Sequence, residues 1–189
     1  MAQFSATAEC RRANHNATKR NPFMKARLCA VILFATFTVT VHADFNDGVV
    51  AMTVGNYEKA LSIFLPLAET ADHAYAQYFV GRMYAAGQGV EQDFEAAANW
   101  YRKSARSGVA DAQFRLADQY THGDGLPRDL ESAYAWYRVA AHLGNAKAAA
   151  AVSESTQRLS EEELKEAKRF ALELVEKFGT TPKSTARTQ

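Results

Sequence analysis

Histidines, cysteines and paired carboxylates are where a catalytic or metal centre would begin, and in this chain they do not converge. Of the five histidines, His15, His42, His73 and His142 stand apart from one another. His122 has Asp124 and Asp129 close in sequence, but a zinc site would need a second nitrogen or sulfur ligand with them. Both cysteines, Cys10 and Cys29, fall early, so everything after residue 29 lacks a thiolate for a disulfide or a metal. Gly87-x-Gly89 and Gly123-x-Gly125 have the spacing that begins a phosphate cradle. Each follows a helical run and lacks a third glycine, so both read as turn punctuation. No serine is followed three residues on by lysine, which leaves no Ser-x-x-Lys nucleophile pair. Trp100 and Trp136 could stack on sugars, but their identical places in a repeat mark them as core. No catalytic residue, metal ligand or cofactor is expected, and the chain reads as a non-enzyme.

A site without reactive groups must be a binding surface, and composition limits what it binds. The 189 residues are 48% hydrophobic and 11% aromatic, enough for a buried core. Residues 24–43, MKARLCAVILFATFTVTVHA, place Lys25 and Arg27 before an uncharged apolar run from Leu28 to Val41. Small residues close the run at Val41-His42-Ala43, the layout of a secretory signal peptide. The run is short of the ~20 residues a spanning helix needs. Cleavage between Ala43 and Asp44 is expected, giving a periplasmic or secreted protein; a retained N-terminal anchor is the alternative. Residues 1–23 read as disordered or as preceding a true start at Met24. Removing residues 1–43 takes six of the 22 Lys and Arg and one of the 21 Asp and Glu, leaving a net charge of −4. With both signs interleaved, that surface lacks the basic footprint of a nucleic-acid binder.

The remaining chain repeats itself. Residues 73–108 set over 109–144, a shift of 36, are identical at 14 positions, against roughly two expected from residue frequencies. The pairs include Ala76-Gln77 with Ala112-Gln113, Tyr84 with Tyr120, and Gly87 and Gly89 with Gly123 and Gly125. They continue with Asp93 and Asp129, Trp100-Tyr101-Arg102 and Trp136-Tyr137-Arg138, and Gly108 and Gly144. Each unit predicts two helices. Ala76, Val80, Gly81 and Tyr84 recur at helical spacing in the first, and Gly87 ends it as a left-handed cap. Asp93 caps the second, which carries Ala97, Trp100, Tyr101 and Ala105 inward.

The run A-x-A-Q-x-x-V-G-x-M-Y-x-x-G-x-G-V-x-Q-D-x-x-x-A-x-x-W-Y-x-x-x-A-x-x-G, from Ala74 to Gly108, resembles the Sel1-like repeat. The second copy departs from that pattern at Ala117, Gln119 and Leu126-Pro127. The resemblance implies an all-α right-handed superhelical solenoid of antiparallel helix pairs, related to tetratricopeptide repeats. It also implies a protein-binding adaptor or scaffold of the bacterial envelope, holding a protein or peptide on its concave surface. An envelope enzyme acting on cell wall or polysaccharide, or its non-catalytic subunit, is an alternative, and a secreted host-interaction factor is another.

The flanks extend the stack. Residues 44–72 read as a degenerate helix pair in which Pro66 should kink or break the second helix, and Asp72 stands where the full units have glycine. Residues 145–158 repeat a first helix in alanine-rich form. Ser160 and Glu163 predict a capping box, with Leu159 and Leu164 as its staple. The helix that follows, to Gly179, should dock its stripe of Leu164, Ala167, Ala171, Leu174, Val175 and Phe178 on the preceding helix and cap the solenoid. Residues 180–189 read as a polar tail. Subtracting one repeat from the other leaves Tyr75, Phe79 and Arg82 in one first helix and Asp111, Arg115 and Asp118 in the next. Their spacing of four then three lines one helical face, the expected partner-binding surface.

Overall fold

The computed structural model describes residues 45–181. The expected signal segment at 24–43, the extension at 1–23 and most of the polar tail lie outside the described residues. Among those described there are eight helices and no strand: α1 (residues 45–53), α2 (Tyr57–Thr70), α3 (Ala74–Ala86), α4 (Phe94–Arg106), α5 (Ala110–His122), α6 (Leu130–His142), α7 (Ala146–Arg158) and α8 (Glu161–Phe178). None of them is long and apolar enough to cross a membrane. From α2 to α7 each helix packs on the next, which makes a helical solenoid.

Polar residues placed just ahead of the apolar stripes start the helices. Asp93 accepts the Ala96 N–H at 2.9 Å, Asp129 that of Ser132 at 3.0 Å, and Asn145 that of Ala148 at 2.9 Å, each satisfying an orphan donor of the first turn. Ser160 and Glu163 form the reciprocal capping box of α8. Both full units close their inner turn the same way: Asp93 N–H donates to the Tyr84 carbonyl at 3.0 Å and Asp129 N–H to that of Tyr120 at 2.9 Å.

Two devices join each unit to the one before. The first is the second glycine of each turn. Gly89 has φ +72, and a Cβ there would sit 2.6 Å from the backbone carbon of Tyr57 at the start of α2. Gly125, also at φ +72, meets the backbone of Phe94 at the start of α4 in the same way. The role of this second glycine is therefore close approach between units. The second device is a buried glutamine. Gln77 Nε2 donates to the Ala68 carbonyl and to Asp72 Oδ1, both at 3.3 Å, and Gln113 Nε2 donates to the Ala105 carbonyl at 3.0 Å. Asp72 holds φ 47, filling the left-handed place that glycine takes elsewhere.

Three expectations are corrected. Pro66 does not break α2, which is continuous from Tyr57 to Thr70. The carbonyl that its missing N–H would have bonded belongs to exposed Ser62, so water can satisfy it, while buried Phe64, Leu67 and Ala68 hold the flanking turns in place. The stripe of α8 docks on α6, the second helix of the second repeat, and not on the preceding helix α7. Phe178 stacks on Trp136 with centroids 5.7 Å apart, and Gln113 Nε2 also donates to the Phe178 carbonyl at 3.1 Å. Trp136 is thereby buried at 6% exposure, whereas Trp100, with no such cover, is half-buried beneath Lys103.

The close-approach role of Gly89 can be separated from simple backbone preference. Gly144 has φ +88, but nothing lies within 4 Å of the place a Cβ would take. Gly144→Ala should cost about 1–2 kcal/mol for the left-handed backbone alone. Gly89→Ala should cost about 1–3 kcal/mol more, because the helix start must move. Urea denaturation of both variants measures the difference, and equal losses would contradict the contact.

Candidate interaction surface

The six residues expected to face a partner do not share one environment. Asp111 is exposed on α5, and its Oδ1 accepts from Asn145 Nδ2 at 2.9 Å, linking the first turns of α5 and α7. Arg115 lies over the Phe114 ring, 5.7 Å from its centroid, and pairs with Asp118 across 3.8 Å. Asp118 also accepts from the Tyr137 hydroxyl at 3.0 Å. On α3, Tyr75 is exposed at 48%. Arg82 sits over the rings of Tyr78 and Phe79, its guanidinium 5.8 Å from each centroid.

Phe79 differs from what its spacing suggested. It is half-buried and stacks on Phe64 with centroids 5.0 Å apart and planes 11° from parallel, and Phe45 packs against it at 6.0 Å. Its ring therefore binds the N-terminal helix pair to the first repeat. The position is unshared between the copies because only the first repeat has that pair as its neighbour.

The three first helices α3, α5 and α7 enclose a cleft of about 490 Å3. Tyr78 comes from α3, Asp111, Phe114 and Arg115 from α5, and Asn145 and Lys147 from the start of α7. A neighbouring cleft of about 320 Å3 continues along α5 and α7 past Phe114, Asp118 and His122 to Glu154 and Arg158. Asp111, Arg115 and Asp118 are thus brought into this groove, while Tyr75, Phe79 and Arg82 do not line its main cleft. Behind it stand two buried tyrosines. The Tyr101 ring is 6.2 Å from Tyr78 and the Tyr137 ring 5.6 Å from Phe114. Burial pushes the Tyr101 phenol far above its ordinary range. Burial likewise pushes Tyr137 up to about 12, with the Asp118 carboxylate adding to the rise and the Thr121 bond opposing it. Both stay neutral at physiological pH and act as packed hydrogen-bonding groups. Among the described residues no cluster of His, Cys, Asp and Glu could hold a metal.

The family model for the Sel1 repeat matches residues 74–109 and 110–145, the two units that the paired glycine turns and the glutamine links join to their predecessors. The chain is a Sel1-like repeat protein. Among solved structures it is similar to a protective antigen present in uropathogenic Escherichia coli strains that displays an SLR fold. That likeness has TM-score 0.71 and 27% identity, over 74% of this chain and 30% of the other. It is also similar to a Sel1 repeat protein from Oxalobacter formigenes, with TM-score 0.56 and 32% identity over 68% of this chain and 55% of that one. The chain therefore spans under a third of the first relative's length and just over half of the second's. No curated protein sequence matches it.

Within the Sel1 repeats, identity alone missed the groove's aromatic floor. Tyr78 and Phe114 occupy the same repeat position and are both aromatic, a signal that residue class carries and identity does not. Lys147 lies outside the two full copies and so escapes their difference; it stands one period after Asp111 and two after Tyr75. The departure at Gln119 has a structural use, since its Nε2 donates to the Phe94 carbonyl at 3.1 Å and reinforces the Gly125 approach.

The Tyr137 link makes a pH-dependent prediction. Its folded value is raised above the ordinary 10.0, so its stabilising contribution is complete below about 10 and is lost as pH rises towards about 12. Tyr137→Phe should destabilise by about 1 kcal/mol at neutral pH. The gap from the parent should narrow above pH about 10. Thermal unfolding across that range checks this, and a constant gap would refute it.

Proposed function

We propose that this chain is an interaction scaffold of the bacterial cell envelope, seating a segment of another protein in the concave groove formed by α3, α5 and α7. Sel1 repeats generally serve as protein-interaction scaffolds and are typically non-catalytic. The observation that carries the reading is the cleft itself. Tyr78 and Phe114 are only half-buried there, and Arg115 and Lys147 border them together with Asp111, so an apolar floor is ringed by charges of both signs. That arrangement suits a peptide with an apolar anchor and polar flanks. The export segment at 24–43 supports an envelope address, with the mature chain beginning at Asp44.

A secreted, host-facing role is a second reading, favoured by the similarity to a protein described as a protective antigen. A sugar-processing role draws no support from the tryptophans, because Trp136 is covered by Phe178 and Trp100 lies under Lys103.

The test uses the paired change Phe114→Ser with Arg115→Glu in the exported protein. A protein captured by the parent from an envelope extract should be lost or bound at least about tenfold more weakly, since an interface anchor is worth upwards of about 1 kcal/mol. Circular dichroism must show an intact fold. Undiminished capture by the folded variant would exclude the groove.

A further inference from the structure

Away from that groove, a cleft of about 570 Å3 exists only because α8 folds back onto α6. Its walls come from non-equivalent parts of the chain. Arg102 and Arg106 are supplied by the second helix of the first repeat, and Phe170, Glu173 and Lys177 by α8. Tyr120 and Trp136 contribute from between them.

The cleft is locally basic on a chain whose residues 44–189 carry a net −4. Three cations border it against the single carboxylate of Glu173. Among the described residues no carboxylate lies within ion-pair distance of Arg102, Arg106 or Lys177. Arg102 donates to the neutral Asn99 side chain at 2.9 Å, and Lys177 lies over the Phe178 ring at 5.3 Å. By contrast, Lys165 and Arg169 on the same helix are each paired with a glutamate. The apolar part is open as well: Phe170 is 37% exposed. Trp136 offers little face for a sugar to stack on, because it is 6% exposed and Phe178 already lies against it.

We propose that this cleft binds an acidic polypeptide segment, with an apolar side chain against Phe170 and carboxylates on Arg102, Arg106 and Lys177. The chain's own ends do not complement it. Residues 1–43 carry six Lys and Arg to one acidic residue, and residues 182–189 carry Lys183 and Arg187 with no acidic residue. The site is independent of the groove between the first helices, so either can fail without the other.

The test is fluorescence anisotropy on the full chain. The probe is a short labelled peptide in which glutamates flank a central leucine–phenylalanine pair, with a lysine-for-glutamate peptide as control. The acidic peptide should bind saturably, and more weakly as salt rises. Arg106→Glu with Lys177→Glu, both at exposed positions, should weaken it at least about tenfold while circular dichroism shows an intact fold. Phe170→Ser should also weaken it, while Arg115→Glu in the other groove should leave it unchanged. Absence of saturable binding, equal binding of the lysine peptide, or indifference to the charge reversal would overturn the proposal. So would a dimer of the parent chain that the reversal dissolves, since the occupant would then be a second copy.

Discussion

The spacing between units is set where a glycine turn rests on the backbone of an earlier helix. Gly89 against Tyr57 and Gly125 against Phe94 leave no room for a side chain, and both sit at φ +72. Once that contact is made, the first helix of a unit lies at a fixed height over its predecessor. The buried glutamine then reaches the carbonyls that end the previous second helix. An unpaired carbonyl at a buried helix end would cost about 1–3 kcal/mol, so the glutamine does more than fill space. The same contact draws residues 57–70 into the stack although their sequence has lost most of the repeat pattern.

The groove follows from this spacing. With α3, α5 and α7 held side by side by contacts made elsewhere, exposed residues such as Arg115 are left free of core packing. Phe79 is an exception, since it packs on Phe64, and Asp111 and Asp118 are partial ones, since Asn145 and Tyr137 hold them in place. Charges so anchored have little side-chain entropy left to lose on binding, which favours specificity over adaptability. The terminal helix gives the other end of the chain a different character. Its stripe covers α6 and its last carbonyl is held by Gln113, so it closes the core and creates a basic, aromatic recess that the repeats alone would lack.

Much of the fold was legible in the sequence, because a repeat displays its constraints twice. The caps at Asp93, Asp129 and Ser160 and the left-handed ends at Gly87 and Gly123 are local chemistry, fixed by residues three or four apart. What escaped was set by tertiary neighbours. Where α8 docks depends on the shape of the α6 surface, not on its own stripe, and the two tryptophans differ because only Trp136 has Phe178 to cover it. Pro66 was tolerated because the carbonyl it orphans faces water. The surface was harder to read than the core. Difference between copies marks residues freed from the shared fold, but it also marks residues such as Phe79 that pack against a neighbour only one copy has.

The central claim is that the first helices of the stack, and not merely its exposed loops, contact a partner. Site-specific photo-crosslinking in a cell that expresses the chain tests it most directly. A benzoyl-phenylalanine would be placed in turn at Arg115 and Lys147 in the groove and at Asp124 and Glu91 in the turns. The account predicts a discrete higher-mass adduct from the groove positions and none from the turns. Adducts from the turn positions with none from Arg115 or Lys147 would contradict it.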